Sequence, residues 1–144
     1  SNWYPSNFTD KNGYHFGNSE QYIMYQKAKL FNDNNVAEKI LLNSDPKFVK
    51  SMGRKVKNFN QEIWDSNAQN IVYEGCLLKF SQNEWMKEHI LSTEEKILVE
   101  ASPYDKIWGI GLSIKNAINS NESEWKGSNW LGICLMKVRD TLKN

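Results

Sequence analysis

The feature that most constrains the fold is the stretch from Asn60 to Phe80, in which apolar residues recur three or four positions apart. Residues with this spacing lie on one face of an α-helix, so the stretch is predicted to be the longest helix of the chain. Its apolar positions are Ile63, Trp64, Ala68, Ile71, Val72, Cys76 and Phe80.

Capping residues predict shorter helices on both sides of this stretch. Ser19 is predicted to be an N-cap, and Glu20 follows in the first turn, where the helix dipole favours an anion. Asp45 and Pro46 form a second start signal, because proline suits the first helical position, and Gly53 is a candidate end for that helix. The predicted ranges are 19–32, 35–42, 46–53, 84–91 and 131–142.

Short β elements are predicted at two places. Residues 1–18 combine several aromatics with turn residues, and the Asn12-Gly13 dipeptide is a hairpin signal. Residues 96–100 are apolar and β-branched and are predicted to form a strand, in preference to a competing capping box at Ser92 and Glu95. A polar loop is predicted over 116–127.

Composition and charge exclude several classes of protein. A hydrophobic share of 40% with 8 Gly and 3 Pro excludes disordered and collagen-like chains. No apolar run approaches the roughly 18 residues that a membrane span needs. The net charge of +1 argues against a non-specific nucleic-acid binder. The expected fold class is mainly α with small β elements (α+β), as one multihelical domain over residues 1–144.

The cysteines and histidines indicate neither a disulfide nor a metal site. Cys76 and Cys134 lie far apart in apolar contexts and are expected to be reduced core thiols of a cytoplasmic protein. His15 and His89 are isolated, so no zinc motif is formed. The Rossmann and Walker A glycine motifs are absent, and no cofactor is expected. The nucleophile elbow is absent as well, so a nucleophile triad is unsupported.

One face of the helix predicted over 19–32 combines an acid with an amine. Glu20 and Lys27 are about two turns apart and project from nearly the same side, with Ile23 and Met24 between them. Such a stripe fits either the wall of a cleft or a partly exposed helix whose charges reach water at each end.

A second candidate group lies in the loop after residue 100. Asp105 could stabilise a developing positive charge, the Trp108 ring could stack on a base, and Gly109 would let a ligand approach the backbone. Trp64 fits either core packing or the wall of a site for a planar ligand. The guanidinium of Arg54 offers a fork of donors to a phosphate.

Taken in order along the chain, these segments resemble the NADAR (YbiA-like) family almost from end to end. One departure is Gln21, where the family often has His. The matching motifs are Ser1-Asn2-Trp3-Tyr4-Pro5, Ser19-Glu20-Gln21-Tyr22, Gln26-Lys27-Ala28, Met52-Gly53-Arg54-Lys55-Val56, Trp64-Asp65, Lys79-Phe80-Ser81-Gln82-Asn83, Val99-Glu100-Ala101-Ser102-Pro103-Tyr104-Asp105, Ile107-Trp108-Gly109-Ile110-Gly111 and Gly127-Ser128-Asn129-Trp130-Leu131-Gly132.

The resemblance implies an N-glycosidase that hydrolyses the bond between ribose C1 and a nitrogen. It implies Glu20, Lys27 and Asp105 as catalytic residues, with the acid and base roles of the two carboxyl groups unassigned. Of the residues predicted to bind substrate, the resemblance implies Trp64 and Trp108. The full predicted set is Asn2, Tyr4, Arg54, Trp64, Tyr104, Trp108, Gly109 and Asn129.

Three functions stay open at this point. The first is hydrolysis of small ribosylamino-pyrimidine phosphates, intermediates of riboflavin synthesis, which the balanced charge favours. The second is removal of ADP-ribose from guanine in DNA, for which a basic rim is available in Lys50, Arg54, Lys55 and Lys57. The third is a non-catalytic module that binds ADP-ribose or a related nucleotide.

Overall fold

A computed structural model describes residues 5–100, 105–113, 117 and 127–144. Within these ranges the chain forms two short strands and six helices, and the predicted α+β class is confirmed. The strands and helices are β1 (Phe8–Thr9), β2 (His15–Phe16), α1 (Ser19–Leu30), α2 (Asn34–Leu41), α3 (Pro46–Arg54), α4 (Gln61–Gln82), α5 (Glu84–Ser92) and α6 (Trp130–Leu142). The chain divides into two units, Ser1–His89 and Ile90–Asn144.

The strands of the first unit form an antiparallel hairpin in which Phe8 lies opposite Phe16. The loop between them contains the predicted Asn12-Gly13 turn, and Gly13 takes a φ of 83°, which glycine adopts without a steric penalty. The carboxylate of Asp10 closes the loop by accepting two backbone N–H groups. The hairpin prediction is therefore confirmed.

Helix α1 is the central element of the first unit and packs against α2, α3, α4 and β2. The buried ring of Phe16 lies with its centroid 5.2 Å from that of Tyr22 and 5.6 Å from that of Tyr25, both on α1. Burying one such large side chain contributes about 1.5–3 kcal/mol. These rings attach α1 to the hairpin.

The start of α1 differs from the prediction by one residue. Its N-cap is Asn18, whose side-chain oxygen accepts the N–H of Gln21 at 2.8 Å, and Ser19 is the first helical residue. The Gln21 side chain donates to the Ile40 carbonyl and accepts the Gly17 N–H, both at 2.8 Å. This buried amide thus joins α1 to α2 and to the segment after β2.

Helix α3 continues through Gly53 and ends at Arg54, so the predicted end at Gly53 is wrong. A Cβ atom at Gly53 would collide with the Met24 side chain of α1. The glycine therefore permits close packing of α1 on α3 and does not terminate the helix.

In the second unit, residues 96–100 are irregular, so the predicted strand is wrong. The Asn129 side chain makes the bonds that a neighbouring strand would supply: it donates to the Leu98 carbonyl and accepts the Glu100 N–H, both at 2.9 Å. A side chain cannot build a backbone ladder. The competing capping box is also wrong, because Ser92 is the last residue of α5 and a turn follows.

Two further predictions can be compared with the structure. Cys76 and Cys134 are both buried free thiols, as expected. Across the ranges given above, no helix has the length and apolar character needed to cross a membrane. Most of the predicted polar loop over 116–127 lies outside the described residues.

The close packing of α4 on α1 at Gly75 predicts an effect on stability. A Cβ atom at Gly75 of α4 would lie 2.7 Å from Cδ1 of the Tyr22 ring. We expect Gly75→Ala to lower the free energy of unfolding by about 1–2 kcal/mol, because the strain exceeds the helix-propensity gain. Urea denaturation followed by circular dichroism measures this. The control is Asn70→Ala, at an exposed position of α4. Equal stability of Gly75→Ala and wild type would contradict the close packing of Gly75 on Tyr22.

Candidate active site

The Lys27 amine lies between groups from three elements of the first unit. Its Nζ donates to the carbonyl of Gly53 on α3 at 3.0 Å. The same atom lies 4.7 Å from the ring centroid of Phe59, in the segment between α3 and α4, and 5.9 Å from that of Trp64 on α4. A carbonyl oxygen and two aromatic faces are groups that attract a cation. Lys27 and Trp64 are both half-buried.

Glu20 lies on the same face of α1, about two turns before Lys27. Burial raises the pKa of Glu20 to about 7, and the positive charges of Lys50 and Lys27 oppose this rise. Near neutral pH the group is therefore present both as the acid and as the carboxylate. A side chain with this property can donate and accept a proton during a reaction.

The pKa of Lys27 moves in the opposite direction. Burial lowers the pKa of Lys27, although the nearby charge of Glu20 raises it. A lower pKa leaves more of the lysine as the free amine, which is the nucleophilic form. An acid and an amine shifted in opposite directions on one helix face are typical of a reactive site.

The C-terminal part of α3 and the residues after it present an exposed basic edge, which we define as Lys50, Arg54, Lys55 and Lys57. The Nε of Arg54 donates to the Lys50 carbonyl at 3.5 Å. Lys50 is near enough to Glu20 to lower the pKa of that carboxyl group. The basic edge therefore begins beside the acid of the candidate site.

In the second unit, Asp105 organises the loop that carries Trp108. One carboxylate oxygen of Asp105 accepts the N–H of Ile107 at 3.0 Å and that of Trp108 at 2.8 Å. The Trp108 ring stands edge-to-face against Trp130, at the start of α6, with centroids 5.3 Å apart. Asp105 and Trp108 are half-buried. The loop is therefore held by its own carboxylate and by α6.

Gly109 and Asn129 hold the backbone of this second unit together. The carbonyl oxygen of the buried Gly109 accepts the backbone N–H of Asn129 at 2.9 Å. Asn129 is only 3% exposed, and its side chain makes the bonds to Leu98 and Glu100 described above. Its left-handed φ of 54° directs the chain into α6. A direct role of Gly109 or Asn129 in binding substrate stays a prediction.

The residues predicted from the sequence thus divide into three sets. One set lies on or beside α1 in the first unit: Glu20, Lys27, Arg54 and Trp64. A second set belongs to the second unit: Asp105, Trp108, Gly109 and Asn129. The third set lies outside the described residues: Asn2, Tyr4 and Tyr104. The formation of one site from the first two sets stays a prediction.

Two residues near α1 were missed by the sequence analysis. Phe59 contacts the Lys27 amine, and the only signal for it is a single aromatic residue in a polar segment. Lys79 is 2% exposed, its Nζ donates to the Ser19 hydroxyl at 3.2 Å, and burial lowers the pKa of Lys79. In the sequence, Lys79 stands three positions after Cys76 on the apolar stripe of α4. That position could have indicated a buried lysine.

Metal-binding side chains do not gather in the parts of the chain that the structure describes. No group of three or more His, Cys, Asp or Glu residues there could hold a metal ion.

Comparison with known proteins identifies relatives of the whole chain. The family model described as NADAR domain matches residues 1–143. The chain is 47% identical over 144 residues to N-glycosidase R617 of Acanthamoeba polyphaga mimivirus, covering 97% of this chain and 85% of that protein. It is 30% identical over 142 residues to the chloroplastic riboflavin biosynthesis protein PYRR of Zea mays, covering 92% of this chain but 21% of that protein.

A solved structure supports the same relationship. The NMR structure of the E. coli protein YbiA superimposes with a TM-score of 0.78 at 28% identity, covering 99% of this chain and 76% of that chain.

The raised pKa of Glu20 predicts how stability depends on pH. The ordinary value is 4.5 and the folded value is about 7. Between these values the folded chain binds more protons than the unfolded chain, so the free energy of unfolding falls as the pH rises from about 4.5 to 7. Glu20→Gln removes this contribution, which is at most about 3 kcal/mol.

Urea denaturation of wild type and Glu20→Gln at pH values between 4 and 8 measures the difference. The control is Glu62→Gln, at an exposed acid of α4, which is expected to follow wild type. If the curves of wild type and Glu20→Gln ran parallel, Glu20 would titrate as an ordinary exposed carboxyl group.

Proposed function

The chain belongs to the NADAR family, and from this premise we propose that the protein is a hydrolase that cleaves N-glycosyl bonds between ribose C1 and a nitrogen. The observation that carries the proposal is the arrangement of Glu20 and Lys27 on one face of α1, with pKa values shifted in opposite directions by burial. The relative named N-glycosidase R617 supports it at 47% identity.

Glu20 is the proposed general acid. Cleavage of the C1–N bond passes through an oxocarbenium-like transition state, and the electron pair of the bond moves to the departing nitrogen. With a pKa raised to about 7, Glu20 still carries a proton in part of the molecules at neutral pH and can transfer it to that nitrogen. Asp105 is the proposed carboxylate that stabilises the positive charge on the sugar or activates water.

Lys27 provides a covalent route for a ribosylamine substrate. Such a sugar opens to an imine at C1, and the free amine of Lys27 adds to C1 while the base departs as an amine. The product is a protonated imine between Lys27 and C1. Water then adds to C1, releases the sugar as its aldehyde and restores the lysine. The lowered pKa of Lys27 favours the first step, because only the free amine can add.

The proposed substrate class is a ribosylamino-pyrimidine phosphate. A small phosphorylated substrate suits a chain with a net charge of +1, and Arg54 lies exposed where it can meet a phosphate. The rings of Trp64 and Trp108 are the proposed walls for the planar pyrimidine. The relative named riboflavin biosynthesis protein PYRR supports this class, although the chain corresponds to only 21% of that protein.

The second candidate function is removal of ADP-ribose from guanine in DNA. The observation that favours it is the exposed basic edge, which begins beside Glu20. Phosphate neutralisation by lysine and arginine supplies much of the affinity of proteins for DNA. A non-catalytic nucleotide-binding module is the third candidate, and the paired acid and amine argue against it.

Activity assays with the two substrate classes test the proposal. We expect the purified protein to release the base from a ribosylamino-pyrimidine phosphate faster than it releases ADP-ribose from a modified DNA oligonucleotide, as measured by chromatography. Glu20→Gln and Asp105→Asn are each expected to lower kcat by about 10²–10⁴-fold, because proton transfer or charge stabilisation is lost. Glu62→Gln is the exposed control.

Three outcomes are informative. Full activity in both Glu20→Gln and Asp105→Asn would contradict the assigned roles. Faster reaction with the DNA substrate would favour the second function. Binding of either ligand without turnover would favour the third.

Reductive trapping tests the role of Lys27. Borohydride added during turnover should reduce the imine and leave a sugar attached to Lys27, which peptide mass spectrometry detects. Lys27→Arg is expected to abolish the adduct and turnover, because a guanidinium does not form the imine. Lys29→Arg, at an exposed position of the same helix, should retain both. An active wild-type enzyme that gives no adduct would indicate direct attack by water.

A further inference from the structure

Phe59 is an exposed aromatic residue with a defined position. Its side chain is 42% exposed, yet its ring packs against the buried Phe31 ring with centroids 5.3 Å apart. The preceding residue, Asn58, takes a left-handed φ of 60°. The segment between α3 and α4 therefore follows a specific path that directs this ring.

The backbone on both sides of Phe59 is also fixed. The Asp33 carboxylate, which caps α2, accepts the N–H of Lys57 at 2.9 Å. On the other side, Asn60 is the N-cap of α4, and its side-chain oxygen accepts the N–H of Ile63 at 3.1 Å. Phe59 thus lies between Lys57, which is bound to the cap residue of α2, and Asn60, which caps α4. Its ring is therefore pre-organised where it meets α1.

The partner of this ring is the Lys27 nitrogen, 4.7 Å from the ring centroid. The Gly53 carbonyl binds the same nitrogen at 3.0 Å, and Trp64 on α4 presents an uncharged ring to it at 5.9 Å. Among the charged groups, Glu20 on α1 acts on Lys27, and Lys50 on α3 acts in turn on Glu20. Among the residues that the structure describes, Phe59 is therefore the nearer of the two rings over the amine.

We propose that Phe59 is a positioning residue for Lys27, whose ring face holds the lysine nitrogen at one point and favours positive charge there. An ammonium over an aromatic face is attracted by the negative charge density of the ring. The effect on the free protein is independent of the proposed function. The effect on turnover rests on it, because the protonated imine carries its charge on this same nitrogen.

Graded fluorination of the ring tests this inference. Phenylalanines with one, three and five fluorine atoms, placed at position 59, withdraw electron density from the ring face with little change in shape. We expect the acid dissociation constant of Lys27 to rise in step with fluorine content, by about two- to five-fold at the end of the series. NMR titration of the free protein with labelled lysine measures this dissociation constant. The signal of Lys27 is identified as the one that is missing in Lys27→Arg.

Turnover provides a second readout. The limiting kcat, obtained by correcting the pH profile for the fractions of Glu20 as acid and of Lys27 as amine, is expected to fall by a similar factor with little change in KM, because the ring no longer stabilises the cation that forms. Phe59→Leu keeps an apolar side chain without a ring face and should match the end of the series. Phe59→Tyr restores a ring face and should recover the wild-type values.

The matched control is the same fluorinated series at Phe16. This buried ring packs against Phe8, Tyr22 and Tyr25, and its fluorination should leave Lys27 unchanged. An unchanged Lys27 titration across the series and in Phe59→Leu would overturn the proposal. A Lys27 titration that follows the series in a protein inactive on both substrates would support the placement of Phe59 and count against the proposed function alone.

Discussion

Close packing around α1 is the constraint on which the rest of the first unit depends. Gly53 and Gly75 let α3 and α4 approach α1 so closely that a Cβ at either position would meet the Met24 or Tyr22 side chain. Met24 lies on the same face of α1 as Glu20 and Lys27, so the approach of α3 at Gly53 helps to bury that face. Burial is the largest cause of the shifted pKa values of both groups.

Burial has opposite effects on the two charged groups because it disfavours the charged form of each. It raises the pKa of Glu20 and lowers the pKa of Lys27, while their mutual attraction opposes both shifts. The aromatic rings and the Gly53 carbonyl then compensate the amine for part of the lost hydration. On one helix face, burial thereby favours the protonated acid at Glu20 and the free amine at Lys27.

Much of the fold could be predicted from the sequence because its signals are local. The apolar spacing of α4, the Asp45-Pro46 start of α3 and the Asn12-Gly13 turn each act within a few residues, and all three are found in the structure. The predicted strand over 96–100 was wrong because a strand depends on a distant partner. Here the segment is bound by the side chain of Asn129 and by the backbone N–H of Ile110, which donates to the Glu100 carbonyl, and no local pattern indicates either.

The sequence by itself determined that the chain is mainly helical and that Glu20 and Lys27 share one face of α1, since helical spacing decides both. Only the tertiary structure decided that this face is partly buried and that Phe59 meets the Lys27 nitrogen. Burial and ring contact depend on segments far apart in the chain. Their approach is governed by packing around Gly53, Phe31 and Asp33, which spacing along one helix cannot express.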